Sequence, residues 1–150
     1  MSLSNAPGSD PAASVAGDSA RPSDPLAGKR ILLVEDDAFI MMALDEMLTE
    51  QGLTVAGTAR SLPAALTLAT SDTFDLALLD VNIGREKIDP VADALTARGC
   101  PFVFTTGCGR SGLPEAYLDR AIVEKPFYIE EILKALREEL ASNDSPREQT

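Results

Sequence analysis

The chain has 150 residues, of which 45% are hydrophobic and 25% charged, as in a single soluble domain with its own core. Its net charge of −11 and its pI of about 4.3 argue against nonspecific binding to nucleic acid or anionic membranes, because both need a positive protein surface. No apolar stretch approaches the roughly 20 residues of a membrane-spanning helix, so we expect no transmembrane segment.

The N-terminal residues 1–27 are composed largely of Ser, Ala, Pro, Gly and Asp, and they lack the basic start and apolar core of a secretory signal. We interpret them as a disordered leader, place the folded domain at residues 28–141, and expect a disordered tail at residues 142–150. Cys100 and Cys108 occur without any histidine, so neither a usual zinc site nor a Cys–His pair is available. We interpret both cysteines as reduced structural thiols of a cytoplasmic protein.

After this leader, apolar strand-like runs alternate with segments of helical period, which predicts βαβ units around a parallel sheet. The first strand is predicted at residues 31–34, and apolar residues at helical spacing from Phe39 predict the first helix. The second strand is predicted at residues 53–59, with Ser61 as the N-cap of the second helix. These segments form the first two βα units.

The second half of the chain continues the alternation. Three further strands are predicted at residues 74–79, 102–104 and 121–123. Helical segments are predicted to begin at Asp89-Pro90, to cover residues 114–119 after a glycine-rich loop, and to run over residues 129–140. The sequence therefore predicts five strands and five helices.

Four of the predicted strands end in reactive polar residues. In open α/β sheets, ligands bind outside the carboxyl ends of the strands, so we expect these residues to converge. They are, in chain order, Glu35-Asp36-Asp37, Asp80, Thr105-Thr106 and Glu124-Lys125.

The chemistry of this set indicates a phosphoryl site. Glu35, Asp36 and Asp80 at adjacent strand ends would raise one another's pKa unless a cation offset their charge. Hard oxygen ligands suit Mg²⁺, which a phosphate oxygen commonly completes. Lys125 adds a fixed positive charge and a threonine hydroxyl adds a hydrogen-bond donor. One aspartate can then act as the nucleophile that forms an aspartyl phosphate.

Simpler structural roles account for some of the other residues. Asp37 is expected to cap the first helix. Alternation along a strand sends the side chains of Thr105 and Thr106 to opposite faces, so only one of them can serve the site. Met41, Met42 and Met47 of the first helix can form an adaptable docking surface, because thioethers are flexible, but we expect at least Met47 to pack in the core.

These residues together resemble the receiver domain of bacterial two-component response regulators, over about residues 29–140. In that family the first strand ends in an acidic pair, the third in the phospho-accepting Asp, the fourth in Thr or Ser before a small residue, and the fifth in Lys-Pro. The matching residues are Glu35-Asp36, Asp80, Thr106-Gly107 and Lys125-Pro126.

The resemblance implies a flavodoxin-like (βα)5 fold, with a five-stranded parallel sheet of order 2-1-3-4-5 and helices on both faces. It also implies that Asp36, Asp80 and the backbone carbonyl of Asn82 hold Mg²⁺, with Glu35 acting through water. Asp80, Thr106 and Lys125 would then be the catalytic residues of a protein that catalyses only its own aspartyl phosphorylation and dephosphorylation.

The resemblance further implies the partners. A sensor histidine kinase or a histidine phosphotransfer protein would donate the phosphoryl group, and its helical domain would dock near the first helix. We expect an unidentified downstream protein, no nucleic acid and a monomeric state. Because the nine residues after Ala141 are too few for an output domain, we expect signalling by protein contact or by onward phosphotransfer.

Two positions depart from the usual receiver. Phe104-Thr-Thr-Gly107 is similar to the Phe-Ala-Thr-Gly-Tyr motif of a subgroup of single-domain receivers from alphaproteobacteria, but Cys108 replaces the final Tyr. Ile122 stands where receivers carry an aromatic residue, three positions before the lysine. We therefore hypothesise that the glycine-rich loop and the segment around Tyr117 carry the signal.

Two alternative functions differ in class. A Mg²⁺-dependent phosphohydrolase of the haloacid dehalogenase type needs a second Asp two residues after the nucleophile, where this chain has Asn82. A receiver-like docking module that works without phosphate is the other alternative, and the intact acid, threonine and lysine set argues against it.

Overall fold

The main sheet follows the predicted order. The computed structural model describes residues 24–71, 73–107, 113, 115–118 and 120–144. Its strands are β1 (Arg30–Val34), β2 (Thr54–Ala59), β3 (Leu76–Asp80), β4 (Asn82–Ile83), β5 (Glu86–Lys87), β6 (Phe102–Thr106) and β7 (Ile122–Glu124). The parallel sheet has the order β2-β1-β3-β6-β7, which is 2-1-3-4-5 once the separate β4-β5 hairpin is set aside.

The helices agree with the prediction except for the fourth. They are α1 (Ala38–Glu50), α2 (Leu62–Ser71), α3 (Asp89–Ala97) and α4 (Ile129–Asp144). Where a short helix was predicted at residues 114–119, the described residues form a single 3-10 turn, Glu115–Tyr117. Residues 108–112, 114 and 119, which include Cys108 and most of the glycine-rich loop, lie outside the described residues.

Side-chain caps fix the starts of the first two helices. The Oδ1 atom of Asp37 accepts hydrogen bonds from the amides of Phe39 and Ile40, at 2.9 and 3.1 Å. The Oγ atom of Ser61 accepts one from Ala64 N at 3.3 Å. Both residues cap amides that have no partner within the helix. The predicted N-caps are confirmed.

Helices cover both faces of the sheet, and each face has its own apolar core. All five residues of β3 are buried, as expected for a central strand with an almost continuous apolar sequence. One core packs α2, α3 and the 3-10 turn against the sheet, and it includes Phe102, Phe104 and Tyr117. The other packs α1 and α4, and it includes Leu44, Val103 and Leu136. This is the architecture predicted from the resemblance.

The folded part extends beyond the predicted limits at both ends. Residues 24–27 were assigned to a disordered leader, yet Leu26 is fully buried in the core beneath α1 and α4. Asp24 forms a two-pronged ion pair with Arg137, with O–N distances of 3.3 and 2.8 Å. At the other end, α4 continues through residues 142–144 to Asp144. Residues 1–23 and 145–150 lie outside the described residues.

Cys100 has the environment of a structural thiol. It is free and half-buried, two residues before the start of β6. Burial raises the pKa of this thiol to about 11, with a smaller contribution from the charge of Asp75. Since the thiolate is the reactive form, this cysteine is a poor nucleophile at neutral pH.

Among the described residues, none of the helices has the length and apolar character needed to span a bilayer.

Candidate functional site

The predicted site residues of β1, β3 and β7 meet at the carboxyl edge of the sheet. The Nζ atom of Lys125 lies 3.0 Å from Oδ2 of Asp80 and 3.2 Å from Oε1 of Glu35. Glu35 directly follows β1, Asp80 ends β3, and Lys125 directly follows β7. Because β6 lies between β3 and β7, the lysine side chain reaches past the end of β6 to two other strands.

Asp80 is held firmly and is nearly buried, with 5% of its surface exposed. Its Oδ1 atom accepts a hydrogen bond from Asn82 N at 3.1 Å, and its Oδ2 atom accepts one from Lys125. Both carboxylate oxygens therefore have hydrogen-bond donors, which fix the orientation of the carboxylate at the site.

Lys125 is anchored through its backbone as well as its side chain. Its N–H donates to the carbonyl of Thr106 at 2.9 Å. Burial lowers the pKa of the ammonium, but the hydrogen bond to Asp80 and the charges of Asp80 and Glu35 outweigh burial, so that the pKa is raised. The lysine is a permanent cation at neutral pH.

Glu35 is the most perturbed carboxyl group of the site. It is 1% exposed, and its Oε2 atom accepts a hydrogen bond from Asp37 N at 3.1 Å. Burial, followed by the charge of Asp80, raises its pKa from 4.5 to about 7, although the Asp37 amide and Lys125 lower it. Within the described residues, its buried Oε1 accepts no hydrogen bond, even with Lys125 Nζ nearby.

Asp36 completes the acidic cluster from an exposed position. Its Oδ2 atom accepts a hydrogen bond from Gly84 N at 2.7 Å, which links the end of β1 to the turn of the β4-β5 hairpin. One carboxylate oxygen from each of Glu35, Asp36 and Asp80 lies within 4.8 Å of the others.

This donor set fits a divalent magnesium ion. Three carboxylates with oxygens within 4.8 Å of one another provide the hard oxygen ligands and the negative charge that Mg²⁺ prefers. The single ammonium of Lys125 does not balance three carboxylates, and Oε1 of Glu35 has unused acceptor capacity. A second cation would balance the remaining negative charge and would give Oε1 of Glu35 a partner.

The remaining predicted residues lie at the same edge of the sheet. Asn82 is exposed at the start of β4, two residues after Asp80. Thr106 is buried at the end of β6, and Thr105 is buried opposite Asp80 and Val123. Phe104 belongs to one core and Val103 to the other, so strand alternation places Thr106 on the Phe104 face and Thr105 on the other.

An aromatic cluster lies beneath the Phe104 face. The Tyr117 ring packs against Phe102 and Phe104 with centroid distances of 5.7 and 5.8 Å. Its hydroxyl donates to Oδ1 of Asp93 in α3 at 2.6 Å. Ile122, at the position of the usual aromatic residue, packs against the same core. An aromatic ring is thus supplied to this face from the 3-10 turn.

The hairpin was missed by the sequence analysis. Its strands have two residues each, too few to show a periodic pattern, and the one available signal was the isolated Gly84 between Ile83 and Arg85. The bond from Gly84 to Asp36 joins residues 48 positions apart, and no local pattern predicts such a bond.

The fold and the site together define a class: a doubly wound α/β protein with three carboxylates and a lysine at the carboxyl edge of its sheet. The sequence profile of the response regulator receiver domain matches residues 31–137. The chain belongs to this family. Receiver domains generally act in signalling rather than as enzymes, and they typically bind Mg²⁺.

Similar proteins agree with this assignment. The transcriptional regulatory protein PdtaR of Mycobacterium tuberculosis is 33% identical over 118 residues, which are 76% of this chain and 58% of that protein. The solution structure of SdrG from Sphingomonas melonis Fr1 is 38% identical, with a TM-score of 0.67, and the match covers 79% of this chain and 98% of SdrG. The receiver domain of PhyR from Erythrobacter litoralis is 25% identical, with a TM-score of 0.64, over 80% of this chain and 95% of that domain.

This chain spans less than two thirds of the curated relative, whose full length includes more than the matched region. The family assignment favours a receiver over a phosphohydrolase of the haloacid dehalogenase type.

Proposed function

We propose that this receiver accepts a phosphoryl group on Asp80, with Mg²⁺, from a histidine kinase or a histidine phosphotransfer protein, and signals by protein contact or by onward phosphotransfer. The observation that carries the proposal is the position of Asp80. It ends the central strand, nearly buried, with Lys125 3.0 Å away and two further carboxylates beside it.

Asp80 is the nucleophile of the proposed reaction. One of its carboxylate oxygens attacks the phosphorus of a phosphohistidine and forms the new P–O bond. The P–N bond breaks, and its electron pair returns to the imidazole of the donor. The amide of Asn82 and the ammonium of Lys125 hold the carboxylate in a fixed orientation, which lowers the entropic cost of the attack.

Lys125 stabilises the charge that moves during transfer. Its ammonium lies against Asp80, where the negative oxygens of the phosphoryl group would arrive, and its raised pKa keeps it charged. Glu35, Asp36, Asp80 and the carbonyl of Asn82 are the residues that would hold Mg²⁺. When bound there, Mg²⁺ supplies further positive charge against the transferring oxygens.

The start of α1 supports a protein as the phosphoryl donor. Phe39 and Met42 are 82% and 65% exposed, near the start of α1, which begins directly after the acidic residues that follow β1. Large apolar side chains so exposed are candidates for contact with a partner. A donor protein that packs on them would bring its histidine to the rim of the site.

Intact mass spectrometry after incubation with acetyl phosphate and Mg²⁺ tests the proposal. We expect one phosphoryl adduct on the wild type, none on Asp80→Asn, and none when Mg²⁺ is removed by chelation. Asp37→Asn is the matched control, because Asp37 belongs to the same acidic run but serves as the helix N-cap, a role that asparagine fills equally well. This variant should be labelled like the wild type.

A wild type that binds Mg²⁺ but acquires no adduct would contradict the proposal. The chain would then be better described as a docking module that works without phosphate. An adduct that persists on Asp80→Asn would show that another residue accepts the phosphoryl group.

A further inference from the structure

The turn of the β4-β5 hairpin contacts the metal-binding end of the site. Gly84 adopts a left-handed backbone conformation with φ of 64°. In this conformation its N–H points at Oδ2 of Asp36, at 2.7 Å. A hydrogen bond to an ionised carboxylate is shorter and stronger than a bond between neutral groups.

The same hairpin is fixed to the strand that carries Asp80. Asn82 N donates to Oδ1 of Asp80, and Ile88 N donates to the carbonyl of Val81 at 3.2 Å. Ile83 is buried in the core that α2 and α3 form with the sheet. The hairpin therefore bridges Asp36, which follows β1, and Asp80, which ends β3.

Asp36 needs such a bridge because it is exposed. An exposed carboxylate samples several rotamers, and repulsion from Glu35 and Asp80 favours those that point away from the cluster. The Gly84 amide is held in place by the strand that carries Asp80. Its hydrogen bond favours a rotamer that keeps Asp36 inside the cluster. The carboxylate retains free lone pairs for a cation after accepting one amide.

We propose that Gly84 is a positioning residue for Mg²⁺ binding: its left-handed backbone aims an amide at Asp36 and holds that carboxylate in place for the ion. This inference rests on the proposed function, since it assigns a residue to the proposed metal site. Groups that orient metal ligands from behind typically contribute tenfold or more to affinity.

The backbone conformation is the reason for a glycine here. A Cβ atom added to Gly84 would meet no atom within 4 Å, so space is available and only the left-handed φ is unfavourable for other residues. Alanine is strained in this region, and relieving that strain rotates the amide away from Asp36. Asparagine tolerates the conformation better.

Calorimetric titration of the full chain with MgCl₂ tests the inference. We expect Gly84→Ala to weaken Mg²⁺ binding by about tenfold, and Gly84→Asn to bind more tightly than Gly84→Ala. Gly99→Ala is the matched control, because Gly99 has φ of 72° and equally open space but lies beyond the far end of α3. It should lose similar stability and keep wild-type affinity.

A readout without metal addresses the hydrogen bond itself. In the NMR spectrum of the metal-free chain, we expect the Gly84 amide proton to move upfield in Asp36→Ala, because the carboxylate acceptor is lost. An unchanged amide resonance would contradict the contact in solution.

The outcomes separate this inference from the proposed function. A wild type that binds Mg²⁺ with the same affinity as Gly84→Ala would overturn the role of Gly84 and leave the metal site standing. Equal weakening by Gly84→Ala and Gly99→Ala would also overturn it, because the effect would then follow from stability alone. A wild type that does not bind Mg²⁺ would overturn the metal site, and with it this inference.

Discussion

At the scale of single residues, Lys125 is the counter-ion of the site in the absence of metal. It lies within 3.2 Å of two carboxylates that are almost completely buried, while only part of its own side chain is exposed. Removing one partner of such a group leaves the remaining charges desolvated without compensation.

Replacement of this lysine should therefore destabilise the metal-free protein. We expect Lys125→Met to lower the free energy of unfolding by about 2 kcal/mol, below the usual range for a fully buried pair because the lysine is partly exposed. Urea denaturation in EDTA measures this loss, and millimolar Mg²⁺ should restore part of it. The control is Lys134→Met, whose exposed pair with Glu138 is 3.8 Å long and should contribute less than about 0.5 kcal/mol. Equal losses in the two variants would contradict this role of Lys125.

Glu35 gives the site a pH dependence of stability. Its pKa of about 7 in the folded chain lies above the ordinary value of 4.5, so the folded state binds the proton more tightly than the unfolded state. The stabilisation is fully present below pH 4.5 and is lost as the pH rises through 7.

We expect the stability of the metal-free wild type, compared with that of Glu35→Gln, to fall by up to about 3 kcal/mol between these two pH values. Urea denaturation in EDTA at a series of pH values measures the difference. Glu138→Gln, which removes an exposed carboxylate of α4, is the control for the loss of one negative charge. A Glu35→Gln profile parallel to that of the wild type would show that Glu35 titrates normally.

At the scale of elements, the principal strands and helices could be predicted because their apolar patterns are long enough to show a period. Strand β3 was identifiable from its continuous apolar run, and α1 from apolar residues at helical spacing. The hairpin could not be predicted in this way, because two-residue strands show no period.

The site was predictable to a similar extent. The meeting of Glu35, Asp80 and Lys125 follows from a general rule, that parallel strands bring their carboxyl ends to one edge. The hydrogen bond from Gly84 to Asp36 depends on the exact path of a loop, and the sequence has no repeating signal for it.

The 3-10 turn contributes Tyr117 to the aromatic cluster, and variants of this residue test the hydrogen bonds and the packing that stabilise the cluster. Tyr117 is buried, and its hydroxyl bonds to Asp93 and lies 3.3 Å from Thr96 Oγ1. We expect Tyr117→Phe to cost about 1 kcal/mol of unfolding free energy through the lost hydrogen bonds, and Tyr117→Ala about 3–4 kcal/mol through the cavity.

Chemical denaturation monitored by circular dichroism measures both losses. Tyr128→Phe is the control, because Tyr128 is exposed and this variant should unfold like the wild type. A Tyr117→Ala loss no larger than that of Tyr117→Phe would contradict the packing of the ring against Phe102 and Phe104.

At the scale of the whole molecule, the first described residues are tied to the last helix. Leu26 is fully buried with Leu136 and Leu140 in the core beneath α1 and α4, and Asp24 pairs with Arg137. The sequence did not predict this contact, because Leu26 is a single apolar residue in a segment of polar and small residues. One apolar side chain shows no period, although it can fill a core position.

Truncation of this side chain tests the contact. We expect Leu26→Ala to lower the unfolding free energy by about 3 kcal/mol, as for a leucine in a closed core. Asp24→Asn should cost less than about 1 kcal/mol, because Arg137 is partly exposed and its ion pair is screened by solvent. Equilibrium denaturation of the full chain measures both. A Leu26→Ala protein as stable as the wild type would place the fold boundary after residue 27, where the sequence analysis put it.

The reach of Lys125 over the end of β6 has a mechanical consequence. One side chain joins the ends of β1, β3 and β7, and its backbone N–H is bonded to Thr106 on the strand that lies between. A negative charge added at Asp80 would change the electrostatic interaction of Asp80 with the Lys125 ammonium. A resulting shift of Lys125 would displace the first residues after β7 and, through the hydrogen bond to Thr106, the end of β6.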